Sequence, residues 1–88
     1  MTHYVWYDYL RDMYQMQTPY QGETVLVGKH LRYTRRVKDI TQEELAEKLA
    51  VSVGWVSRIE RGTKLPNLKL LFRIAQALQV SPRELLPG

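Results

Sequence analysis

An 88-residue chain has room for one domain and one modest core, which leaves only a few kcal/mol of net stability and makes a partner chain useful. Its hydrophobic content of 44% and charged content of 25% are those of an ordinary soluble chain, and the absence of cysteine excludes disulfides, thiolate nucleophiles and cysteine-held metals. The net charge of +4 is uneven: residues 1–22 hold one basic and two acidic residues, and the remainder holds the other twelve basic and seven acidic ones.

A basic body behind a nearly neutral aromatic leader points to a polyanionic partner, or else to a solvated basic surface. No apolar run approaches the roughly 20 residues that span a bilayer. The N-terminus lacks the basic and apolar regions of a signal peptide, so a cytoplasmic location is expected.

In chain order, His3 to Gln17 is aromatic-rich, with Trp6, Leu10 and Met13, and Tyr7 and Tyr14 beside them, at helical spacing. Tyr4 to Tyr7 also has strand-like propensity, but helix is the better fit to the spacing. Thr18-Pro19-Tyr20-Gln21-Gly22 punctuates the pattern and divides an extension with its linker, 1–22, from a domain, 23–88.

The domain reads as five short helices. The first covers about 23–37, with Val27, Leu31 and the aliphatic part of Arg35 on one face. Thr41-Gln42-Glu43-Glu44 is a capping box that opens the second, whose Leu45, Ala46 and Leu49 face inward. Ser52 is an N-cap for the third, with Val56 and Ile59 inward, and Gly62 supplies a left-handed end. Asn67 caps a fourth, with Leu68, Leu71, Ala75 and Leu78 on one stripe. Ser81-Pro82-Arg83-Glu84 is a second capping box and opens a last helix through Leu86.

Only Ala50-Val51-Ser52 joins the second and third helices, which forces a tight, angled turn. That is the helix-turn-helix arrangement, in which the later helix enters the DNA major groove. Ala46 is the small residue at the helix contact. Leu45, Leu49, Val51, Val56 and Ile59 are the apolar residues that hold the angle.

Leu31-Arg32-Tyr33-Thr34-Arg35, Thr41 to Ala46 and Val56-Ser57-Arg58-Ile59-Glu60-Arg61-Gly62 together resemble the Cro/repressor-type (lambda-repressor-like, XRE) helix-turn-helix family. Pro66, Ala75, Leu78, Val80, Ser81 and Leu85 continue the pattern, and the resemblance covers roughly 24–86. It implies an all-α, five-helix DNA-binding domain that works as a dimeric transcriptional regulator, more in keeping with a repressor than an activator. The implied partner is a palindromic or near-palindromic double-stranded operator.

The residue roles follow from the resemblance and from chemistry. Val53, Gly54, Ser57 and Arg58 lie outward on the third helix and are expected at base edges, Arg58 on a guanine and Val53 on a thymine methyl. Gln42, Ser52, Trp55, Arg61, Lys64 and Asn67 are expected at phosphates. Trp55 either braces the helix against the DNA backbone or packs on the protein. Arg35 and Glu60 match the family's buried ion pair. Ala50 departs from the family's preferred glycine, at roughly 1–2 kcal/mol if it turns left-handed.

Trp6, Tyr7, Leu10, Met13, Tyr14, Leu85 and Leu86 are the expected dimer or partner surface. Leu26, His30, Tyr33, Val37 and Leu70 form surplus apolar surface that the leader is expected to cover, on its own chain or across a dimer. The alternative function is an antitoxin or scaffold whose leader binds another protein. No cofactor or metal is expected. His3 and His30 are isolated, the Glu43, Glu44 and Glu47 cluster is a solvated face, and no enzymatic motif occurs.

Overall fold

The computed structural model describes residues 21–87. Their elements are α1 (Gln21–Val37), α2 (Gln42–Leu49), α3 (Val53–Glu60), α4 (Leu68–Leu78) and a 3₁₀ helix (Pro82–Leu85). The expected residues 3–17 helix, with Trp6, Tyr7, Leu10, Met13 and Tyr14, lies outside the described residues.

Three helix starts follow from side-chain chemistry. Thr41 Oγ1 accepts from the Glu44 N–H at 3.0 Å while Glu44 Oε1 accepts from the Thr41 N–H at 2.8 Å, a reciprocal box. Ser52 Oγ accepts from the Trp55 N–H at 3.0 Å and Asn67 Oδ1 from the Leu70 N–H at 2.8 Å.

The four α-helix ends share one hydrogen-bond pattern. The N–H groups of Ile40, Val51, Thr63 and Val80 reach back five residues to the carbonyls of Arg35, Ala46, Arg58 and Ala75. The residue before each has positive φ: Asp39 at 60°, Ala50 at 58°, Gly62 at 77° and Gln79 at 59°. This is the Schellman ending, and Ile40, Val51 and Val80 complete it by packing on the core. Glycine occupies one of the four left-handed positions; Ala50 and the other two accept the strain.

The sequence predicts five helices, and the last is corrected here. Residues 82–85 form a 3₁₀ turn closed by Glu84 N–H to Ser81 carbonyl at 3.0 Å and Leu86 N–H to Arg83 carbonyl at 3.2 Å. Leu86 is extended at φ −91°, ψ 154°, as the clash with a following proline requires, so Pro87 stops the α-helix from forming.

Val27 and Leu31 of α1, Leu45, Ala46 and Leu49 of α2, Val56 and Ile59 of α3, and Leu71, Ile74, Ala75 and Leu78 of α4 form one core. Leu85 and Leu86 are 1% and 4% exposed in the same core. The sequence places them at a dimer or partner surface; within this chain they are packed inside the core. The 3₁₀ turn packs against both α1 and α4, so it closes the interior of the chain.

The seat of α3 on α1 depends on Gly28. A Cβ there would lie 2.3 Å from the Ile59 carbonyl oxygen and 2.8 Å from that of Glu60. The end of α3 is thus pressed onto α1 backbone, at a distance no side chain allows.

Candidate nucleic-acid interface

The α2–α3 turn is Ala50-Val51-Ser52, as its length in the sequence implies. Left-handed Ala50 reverses the chain, half-buried Val51 anchors it to the core, and Ser52 caps the next helix. The turn is thus anchored at each of its three residues and sets the angle at which α3 leaves α2.

On α3, Val56 and Ile59 are fully buried and fix which side faces out. At 3.6 residues per turn, Val53, Gly54, Ser57, Arg58 and Arg61 share an arc of about 140°. Val53, Gly54, Arg58 and Arg61 are exposed and Ser57 is half-buried. Trp55 is half-buried and packs against the core. Of the two readings of this residue, the protein-packing one describes its position.

The surrounding polar residues have a second function as caps. Ser52 and Asn67 use an oxygen each to start a helix. The Ser52 hydroxyl proton and the Asn67 amide hydrogens remain chemically able to donate elsewhere. Lys64 is exposed in the loop between α3 and α4, and Thr63 beside it donates to the Arg58 carbonyl at 3.1 Å, tying that loop to the end of α3.

Beneath this face lies a buried charge network. Arg35 Nε donates to Glu60 Oε2 at 2.6 Å and Arg35 Nη2 to Oε1 at 3.1 Å, while Nη1 donates to the Ile40 carbonyl at 2.8 Å. Burial favours a neutral Glu60, but hydrogen bonds from Arg35 and Gln42, with the charges of Arg35 and Arg32, hold its carboxyl below the usual range. The bond to Glu60 outweighs burial at Arg35 and raises its guanidinium above the ordinary value.

Two further members of that network are illegible in the sequence. Gln42 Nε2 donates to Glu60 Oε1 at 3.0 Å, so part of the side chain expected at a phosphate is turned to the protein. Arg32 Nε lies 3.5 Å from the same oxygen. Both depend on contacts between residues far apart in the chain. Gly28 did carry a signal, an isolated glycine within a helical pattern.

Among the described residues no group of histidines and carboxylates is disposed to hold a metal, and no helix is long and apolar enough to cross a membrane.

A short helix, a three-residue turn and a second helix with its inner side in the core define a helix-turn-helix domain. The helix-turn-helix family model HTH_3 matches residues 31–85, and the chain belongs to that family, in its XRE, Cro/C1-type class of DNA-binding regulators.

Over 65 residues the chain is 37% identical to the uncharacterized HTH-type transcriptional regulator YazB of Bacillus subtilis (strain 168), covering 74% of this chain and 94% of that protein. The restriction-modification controller protein C.AhdI of Aeromonas hydrophila superposes with a TM-score of 0.68 at 35% identity, over 72% of this chain and 96% of the other. The P22 c2 repressor, solved in complex with a synthetic operator, gives 0.66 at 36% identity over the same shares.

Proposed function

We propose that the protein is a sequence-specific, dimeric transcriptional regulator, a repressor in its basic action, that inserts α3 into the major groove of a palindromic operator. The observation that carries this reading is the division of α3. Buried Val56 and Ile59 fix its orientation, and Val53, Gly54, Ser57 and Arg58 are left on the other side.

Arg58 pairs with a guanine and Val53 meets a thymine methyl, while Gly54 lets the helix backbone come close. Ser52, Arg61, Lys64, Asn67 and the N-terminal amides of α2 with Gln42 hold phosphates. Trp55 acts from behind, as a brace for the helix. The similarity to the P22 c2 repressor, which has been solved on an operator, supports the reading. Binding requires no catalytic step and no cofactor, and it takes place in the cytoplasm, where the DNA is.

One recognition helix reads only a few base pairs, so two copies are needed to span half-sites about 34 Å apart. Selection of bound duplexes from a random pool tests the reading. The expected result is one preferred palindromic site, bound at low-nanomolar to sub-micromolar affinity with steep salt dependence. Equal affinity for every duplex, or no binding at low salt, would overturn it.

A further inference from the structure

The first helix has a face that the core leaves unused. Leu26, Tyr33 and Val37 are 41%, 71% and 62% exposed, and half-buried His30 lies among them. The four are spaced four, three and four residues apart, which keeps them within an arc of about 60°. This is the seam one helix presents to another along its length. Within it, His30 Nδ1 is buried and has no hydrogen-bond partner among the described residues.

The chain carries a matching seam directly ahead of α1. His3, Trp6, Leu10 and Met13 are spaced three, four and three residues apart. At helical pitch Tyr7 and Tyr14 share their arc, while Asp8 and Asp12 fall on the far side. Thr18-Pro19-Tyr20 is of the length that joins two antiparallel helices in a hairpin.

A hairpin through these three residues fixes a register. Pairs that lie opposite one another to within one residue across Pro19 and Tyr20 are Met13 with Leu26, Leu10 with His30, Trp6 with Tyr33 and His3 with Val37. Every seam residue of α1 finds a seam residue of the leader. Net charge agrees at long range: the leader holds two aspartates and one arginine, and α1 exposes Lys29 and Arg36.

We propose that residues 3–17 form a helix that folds back antiparallel on α1 of the same chain and covers Leu26, His30, Tyr33 and Val37. The protein is then a helical hairpin fused to a helix-turn-helix domain, and the leader's aromatic residues are interior to it.

The natural chain has no cysteine, so an introduced pair has no competitor. In the full-length protein, Leu10→Cys with His30→Cys is expected to oxidise to a disulfide within one chain, while Leu10→Cys with Lys64→Cys keeps its thiols. A covalent dimer from the first pair would place a second copy on the seam and overturn the proposal. A double-mutant cycle gives an independent readout in the full-length chain. Trp6→Ala and Tyr33→Ala should each lower the melting temperature, and the double variant should melt near the lower of the two. Losses that simply add, with free thiols in the cysteine pair, would also overturn it.

Discussion

Arg35 and Glu60 join α1 to the end of α3 through two hydrogen bonds, Nε to Oε2 at 2.6 Å and Nη2 to Oε1 at 3.1 Å, with Glu60 4% exposed. Leaving one partner of such a buried pair uncompensated costs about 3–5 kcal/mol. Glu60→Ala is therefore expected to lower the melting temperature sharply and to impair DNA binding only as a consequence of misfolding. Thermal melts beside DNA titrations at a temperature where the variant is folded check this. A variant with normal melting and no DNA binding would move Glu60 from the scaffold to the interface.

The same carboxyl makes stability depend on pH. Its folded pKa is lowered, so the unfolded chain takes up a proton first as pH falls. The contribution is complete above the ordinary glutamate value of about 4.3, and it is lost as pH drops through the lower folded value. Stability should thus decline below about pH 5, and Glu60→Gln should flatten part of that decline at the cost of a lower plateau. Chemical denaturation at pH 7, 5, 4 and 3 measures both.

Ala50 at φ 58° holds a conformation that favours glycine. The left-handed strain is roughly 1–2 kcal/mol, and glycine gives back part of the gain through the freedom of its unfolded chain. Ala50→Gly is expected to stabilise by about 0.5–1 kcal/mol, a rise of a few degrees in melting temperature, with DNA affinity unchanged. A lower melting temperature would mean that the methyl group packs usefully in the turn.

The contrast among the four left-handed ends indicates what a sequence can disclose. Gly62 declares its conformation by being glycine, and Ala50 is expected there through the family resemblance. Asp39 is of a type that tolerates positive φ but does not demand it, and Gln79 gives no such signal; the hydrogen bonds of Ile40 and Val80 impose the conformation on both. N-caps were legible because Thr41, Ser52 and Asn67 bond within three residues. The outward side of α3 was legible because Val56 and Ile59 repeat at helical pitch. The packing of Leu85 and Leu86 was not legible because an apolar pair in a tail does not say which apolar surface it meets. Gln42 was half-read, since its turn toward Glu60 depends on a residue eighteen positions away.

Gly28 offers a test of how α3 is positioned. A methyl group there would meet backbone carbonyls, which cannot turn aside as a side chain can. Gly28→Ala favours the helix intrinsically by about 1 kcal/mol, yet overpacking costs about 1–3 kcal/mol or more. The net expectation is loss of stability together with weaker operator binding, because α3 must shift relative to α2. A variant more stable than the natural protein would show that α1 is free to move away from α3.

Arg58 and Lys64 are expected to fail in different ways when truncated. Arg58 stands on the exposed side of α3, where a planar, two-point donor can read a guanine edge, whereas Lys64 is an exposed point charge in the following loop. Arg58→Ala should cost about 1–3 kcal/mol on the preferred site and relax selection at one base pair of each half-site. Lys64→Ala should weaken binding to all duplexes alike and reduce the slope of log affinity against log salt by about one. Neither change touches the core, so both variants should melt like the natural protein. Titrations of each on the preferred site and on single-base variants of it, at three salt concentrations, separate the two roles. If Lys64→Ala relaxed base preference and Arg58→Ala changed only the salt slope, reading would belong to the loop after α3 rather than to the helix.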